Sequence, residues 1–408
     1  MFCLSSLSLA YTLCAMCGAL WVYLNPRTGD SYSSLPAMLH FSFFYGVLCL
    51  PVLFYDDGRG HGDAGFPNDI DRECFLGLSR LVAFITFPAF AYFLIDAAPH
   101  FREFLGGGID RESFRAGVEL SHFESPMTAV FALCGTFSTL AAFLGMVILL
   151  LYPGRTCLAI LLLCGGFTYA VNMLKHAGRS GMVEGVLFCF SVGCVFWSKV
   201  ESGMRRKLKV FAAGLLLIMM IPFSLITQKR FGAENDDRGV LYSLISYFAT
   251  GPYGYNADFS VETEYGLPRG NGVITCFFFP FLIDLAAGSE LTQKGQEAVD
   301  YIANGTDEHY MVSGAFSGEF KTILGTFLLD YGLVAASGIV LVFSAVYFFI
   351  FRSRKRSLSY YVLSSVYFYT LFLGPIGFGF GTRYRNLMLL NLLVFSALVQ
   401  YVSKRRCC

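Results

Sequence analysis

Apolar runs of about twenty residues recur along this chain, separated by polar or basic connections. Runs long enough to cross a bilayer fall near 3–24, 35–55, 75–98, 127–151, 156–175, 179–198, 208–227, 325–350, 358–377 and 384–402. None alternates with the two-residue period of a barrel strand. Each is therefore expected to be a helix, which satisfies its backbone polar groups internally. The predicted fold is all-α, a polytopic integral membrane protein with about ten transmembrane helices in a single membrane domain, 1–408. The first run, Cys3 to Leu24, has neither a basic segment ahead of it nor a small-x-small site before Asn25-Pro26. It is expected to be a retained helix rather than a cleaved signal.

One connection breaks the pattern. Residues 228–322 form a large segment of mixed composition between the seventh and eighth runs. It is expected to be a partly helical extracytoplasmic loop, and loops of this length usually carry function. Leu241, Leu244, Ile245 and Phe248 have the spacing of an amphipathic helix at the interface. Val273 to Ala287 is apolar but too short to span, and Pro280 and Asp284 interrupt it, which fits a re-entrant or interfacial segment. Residues 291–303 read as another short helix, and the whole loop as a folded lid on the membrane.

Composition agrees with a membrane protein. Hydrophobic residues make up 55% of the chain and charged residues 14%, against about a quarter charged in soluble domains. The net charge of +1 gives no electrostatic reason to expect nucleic acid. Most of the thirteen cysteines lie within apolar runs, with neither a disulfide framework nor a metal-ligand spacing. Three short segments are basic: 198–209, 351–357 and the C-terminal Lys404-Arg405-Arg406. With ten alternating helices all three fall on one side, and short basic connections mark the cytoplasm. Both termini are then cytoplasmic, while 228–322, 99–125 and the turns at 176–179 and 378–385 face out.

The informative residues are cations on that outer face. Asn172, Lys175 or His176, and Arg179 recur at helical spacing around the turn between the fifth and sixth helices. Glu184, one turn inside the sixth, is expected to face the protein interior. Arg230 opens the long loop, and Arg383 and Arg385 open the tenth helix from the same side. Arginine's planar fork suits phosphate oxygens, and a ring of arginines at one membrane level suits a lipid-linked phosphate. Lys175, His176, Arg383 and Arg385 are candidate phosphate contacts. His309 and Glu319 are candidate bases, with Asp330 an alternative that could equally orient a helix. Tyr247, Phe248, Tyr253 and Tyr255, with Asn256 beside them, could offer flat faces and an amide to sugars.

Three segments carry a likeness to a known family. Gly178-Arg179-Ser180-Gly181-Met182, Ser246-Tyr247-Phe248-Ala249-Thr250-Gly251-Pro252 with Tyr255-Asn256, and Thr326-Phe327-Leu328-Leu329-Asp330-Tyr331-Gly332-Leu333-Val334 resemble elements of the Wzy-type O-antigen (oligosaccharide repeat-unit) polymerases. His309 departs from the histidine-to-glycine spacing of the related O-antigen ligases.

The resemblance implies a membrane glycosyltransferase of a bacterial inner membrane. It would polymerise undecaprenyl-diphosphate-linked oligosaccharide repeat units at the outer face, building surface polysaccharide such as that of lipopolysaccharide. It also implies transfer with inversion, no metal or other cofactor, and a flippase and a chain-length regulator as partners. Arg179 and Arg230 would stabilise the diphosphate leaving group, and Glu319 or His309 would take the acceptor proton. The rival readings are a transporter or flippase for the same lipid, an O-antigen ligase-like transferase, and a membrane O-acyltransferase. A transporter would usually carry an internal repeat, and none is seen. None of the six histidines reads as a convincing intramembrane base for the acyltransferase.

Overall fold

The computed structural model describes residues 34–55, 70–106, 126–174, 180–200, 322–353, 356–375 and 383–407. It also describes 251–304 apart from 253, 257, 264, 265, 274 and 277, together with single positions in 8–20 and 205–214. Among these residues the structure is helical, with no strand. Among the described residues six helices are long and apolar enough to cross a membrane: Leu35–Phe54, Arg72–His100, Thr156–Met173, Gly181–Lys199, Ile323–Arg352 and Arg385–Ser403. A seventh arises if the pair Pro126–Gly135 and Ser138–Leu151, bent by 45°, is one span; Leu358–Leu373 is apolar but shorter. Eight of the expected runs thus have helical counterparts, while most of 3–24 and 208–227 lies outside the described residues.

The chain divides into two compact units. One comprises Asp57–Asp237, Lys355–Val366 and Leu387–Cys408. Its helices pack closely at small residues: a methyl group on Gly166 would lie 2.8 Å from Ala142 Cα, and one on Gly165 would overlap Thr86. At the break between Pro126–Gly135 and Ser138–Leu151, the Asn391 amide donates to the carbonyl and hydroxyl oxygens of Thr136 (3.1 and 3.0 Å). Polar groups freed by a bend are satisfied in this way rather than left in hydrocarbon. Glu184 is buried, as expected of an ionisable group one turn inside its helix.

Basic residues gather at one end of this unit. Arg72 lies over the Tyr152 ring (4.8 Å), Lys199 over Tyr361 (6.0 Å) and Arg356 over Tyr360 (4.3 Å). Ser359 bonds Ser396 and Gln400, and Ser403 accepts from the Asp71 N–H, which joins those positions at a common level.

The other unit comprises Met1–Asp56, Arg238–Arg354 and Tyr367–Asn386. Its Leu35–Cys49 helix starts at Ser34, whose hydroxyl accepts from the Ala37 N–H. Pro36 sits in the first turn, where a missing N–H costs nothing. The Ile323–Arg352 helix is interrupted at Gly332, which has φ 80° and ψ 170°. Its two arms differ in surroundings. Residues 322–330 are buried without exception, whereas Val334 is 87% exposed and Leu341, Val342, Val346 and Phe349 follow it into the open.

Contacts along Leu35–Phe54 fix the direction of each arm. Ser337 meets His40, and Phe348 meets Phe54 (4.6 Å between centroids), so the second arm runs parallel to this helix. Ile323, however, donates its N–H to Gly374 O, and a methyl on Gly374 would touch both Ile323 and Tyr45. Tyr45 lies beyond His40, so the first arm starts deeper than Ser337. A straight helix would instead put Ile323 about 21 Å to the other side of Ser337 at 1.5 Å per residue. The chain therefore turns back at Gly332. The second arm, about twenty residues, is long enough to span alone.

Candidate functional site

Helical residues in 251–263 lie beside the first arm. Gly251 is against Pro375 and Thr322; a methyl there would overlap the Pro375 carbonyl oxygen and sit 3.2 Å from Thr322 Cγ2. From that depth the segment rises to Glu262, whose carboxylate takes the Leu333 N–H at the start of the second arm. This part of the expected lid descends alongside the membrane helices rather than resting above them.

Tyr255 and Asn256 lie on this segment, and both are buried. The Asn256 side-chain oxygen accepts the Ser34 N–H at 3.0 Å, fixing the start of Leu35–Cys49. The Tyr255 ring is 1% exposed and packs against His40, Phe41 and Phe259. It is enclosed rather than presented to a sugar in this state. Its hydroxyl is 2.6 Å from His40 Nδ1, and His40 Nε2 is 3.2 Å from Ser337 Oγ.

Donor counting assigns the protons. Ser337 gives its only hydroxyl hydrogen to Leu333 O at 2.8 Å. Its oxygen must then accept from His40 Nε2–H, leaving Nδ1 to accept from Tyr255. The result is a directed chain, Tyr255 to His40 to Ser337 to the backbone. His40 thus stands inside an apolar helix with both nitrogens engaged, a placement the sequence reading did not single out. The signal was available as a lone histidine within an apolar run.

The start of the first arm, just ahead of Thr326–Val334, meets Tyr255 from the other side. Thr322 caps the first arm by accepting the Gly325 N–H (2.9 Å). A methyl on Gly325 would lie 3.6 Å from Tyr255 Cδ2 and 3.7 Å from the buried carboxylate of Asp258. The break at Gly332 frees the carbonyls of Leu329 and Asp330, which accept from Gly270 N and Asn271 N (3.0 and 3.1 Å). Asn271 (φ 53°) and Gly272 (φ 86°) make the turn that aims these donors.

Asp330, 1% exposed, accepts from the Thr275 N–H at 2.7 Å, and the Thr275 and Tyr331 hydroxyls pair at 2.7 Å. Of the two roles open to Asp330, this geometry shows the orienting one. Arg269 closes the arrangement with a two-point pair to Glu262 (2.8 and 2.7 Å) over the Gly332 backbone. Partial burial opposes the charge on Glu262. The bonds from Arg269, Leu267 N–H and Leu333 N–H outweigh it, leaving the carboxylate below its usual range and the guanidinium above its own.

Of the other expected site residues, Arg383 opens the helix Arg383–Cys407, and Arg385 is half-buried in its first turn. Arg179, Arg230, Glu319, His309, Lys175, His176 and Tyr253 lie outside the described residues, as do Tyr247 and Phe248. The structure brings together Tyr255 and Asn256 and adds His40, Ser337, Asp258, Glu262 and Arg269, which the sequence reading passed over. Among the described residues no three His, Cys, Asp or Glu side chains gather into a metal-binding group. No protein-family model, curated protein or solved structure matches the chain.

Proposed function

We infer that this protein is a membrane glycosyltransferase of the Wzy type, which polymerises undecaprenyl-diphosphate-linked oligosaccharide repeat units. One observation carries this reading. Two of the three segments that resemble the family are far apart in sequence, yet Tyr255 of 246–256 lies against Gly325, the residue immediately before 326–334.

In the proposed reaction, a hydroxyl oxygen of the incoming lipid-linked unit attacks the anomeric carbon of the growing glycan. The carbon–oxygen bond to the diphosphate breaks with inversion, and undecaprenyl diphosphate departs with the bonding pair. Arg179 and Arg230, with Arg383, Arg385 and Lys175 or His176, stabilise the charge developing on that leaving group. Glu319 or His309 takes the hydroxyl proton.

In this reading ten helices cross a bacterial inner membrane, both termini are cytoplasmic, and 228–322 belongs to the outer side. Two features support the orientation. Basic residues gather at one end of the unit built around Arg72–Gly106. The spans at Leu35–Phe54 and 333–352 run parallel, as the second and eighth of ten alternating helices must. A flippase for the same lipid is the second reading. It is favoured by a helix that begins at depth, at Thr322, since half-helix starts inside transporters face anionic substrates.

The test is polymer length. Arg179→Ala is expected to leave the protein in the membrane while long glycan collapses to single repeats. Normal chain length in that variant contradicts the role given to Arg179. Loss of even the single repeats at the outer face favours the flippase.

A further inference from the structure

We propose that the Phe278–Ala287 helix lies in the plane of the bilayer at its outer boundary, with the lipid headgroup region as its partner. The boundary can be located from burial. Leu35 and Leu39 begin the exposed apolar face of Leu35–Phe54, and Val334 begins that of the second arm of Ile323–Arg352. The two spans are parallel and in register at His40 and Ser337. Both therefore start facing lipid at one level, marked by Ser34 and Gly332.

The helix is tied to that level. Thr275, just ahead of it, bonds the Asp330 carboxylate through its N–H and the Tyr331 hydroxyl through its side chain. A methyl on Gly272 would lie 2.8 Å from the same Tyr331 oxygen. The chain thus leaves the last residues of the first arm, beside the break at Gly332, and runs into Phe278–Ala287 within one or two turns of the boundary.

What it presents there is apolar. Phe279, Phe281, Leu282 and Leu285 are all exposed, Leu285 by 75%. In water this cluster would be an aggregation hazard; in the acyl–headgroup zone it is an anchor. Ten residues cannot cross the membrane, so the helix lies along it. The following helix, Leu291–Asn304, is polar on its open side, with Glu290 and Lys294 paired at 3.6 Å in solvent. Asp284 joins the two by accepting from Leu291 N, Thr292 N and the Ser289 hydroxyl. An apolar helix followed by a polar one suits a boundary between lipid and water.

The experiment is fluorescence quenching in nanodiscs holding one copy of the full chain. Trp21→Phe and Trp197→Phe remove the native indoles, and Leu285→Trp or, if that variant does not fold, Phe281→Trp supplies the reporter. The expected result is blue-shifted emission, quenched about two-fold by lipids brominated near the headgroup end of the acyl chain. Quenching should be weaker with bromine near the methyl end, and a Lys294→Trp reporter should not be quenched. Water-like emission without quenching overturns the proposal, as does strongest quenching by the deep bromines. Burial seen only when discs hold two copies assigns the face to self-association and also overturns it. None of these outcomes depends on enzymatic activity.

Discussion

His40 shows how far a single residue can be read. Its position in an apolar run was visible, but its meaning depends on Tyr255 and Ser337, which lie more than two hundred residues away in the chain. Tyr255→Phe removes the only donor assigned to His40 Nδ1 and is expected to cost about 1–3 kcal/mol of stability. In a His40→Ala background the same change should cost little, and a double-mutant cycle in detergent measures the difference.

Glu262 makes a second prediction at this scale. Its folded pKa is lowered, so its contribution is complete above the ordinary carboxylate value of about 4.3 and is lost as pH falls through the lower folded value. Thermal stability should therefore drop below about pH 4, and Glu262→Gln should blunt that drop while lowering stability at neutral pH.

At the scale of elements, the apolar runs were legible because about twenty apolar residues in a row have few alternatives. The reversal at Gly332 was not. Glycine is common in membrane helices, and nothing local separates one that breaks the helix from one that packs. What distinguishes Gly332 is its positive φ and the Arg269 guanidinium, 2.8 Å from where a methyl would sit. Gly332→Ala is expected to destabilise by about 1–3 kcal/mol and to loosen the 266–276 segment, read as faster amide exchange at Gly270 and Asn271. Unchanged exchange there would mean that the break does not depend on the glycine.

The same limit applied to the long loop. Residues 291–303 read as a short helix, and the structure has Leu291–Asn304; the apolar stretch 273–287, read as re-entrant or interfacial, holds the short helix Phe278–Ala287. That 251–263 runs beside the membrane helices could not be read from spacing. It depends on Gly251 meeting Pro375 and on Asn256 capping Ser34, both contacts between distant parts of the chain. Asp284 is a further element-scale anchor. Its replacement by Ala should fray the start of Leu291–Asn304, seen as faster exchange at Leu291 and Thr292.

For the whole molecule, composition and hydrophobic pattern announced a helical membrane protein, and the structure is one. The family likeness rests on three short segments; Tyr255 in one of them lies against Gly325, just before another. The catalytic arrangement was least legible. Arginines at an outer membrane level are equally what interfacial anchoring and phosphate binding would place there, and only chemistry separates the two. The most direct measurement is reconstitution of the purified protein in liposomes with a lipid-diphosphate oligosaccharide repeat unit. The account predicts a ladder of lipid-linked polymer with release of undecaprenyl diphosphate, and loss of the ladder in Arg179→Ala. Unextended substrate from folded wild-type protein supplied with the repeat unit of its own source would contradict it.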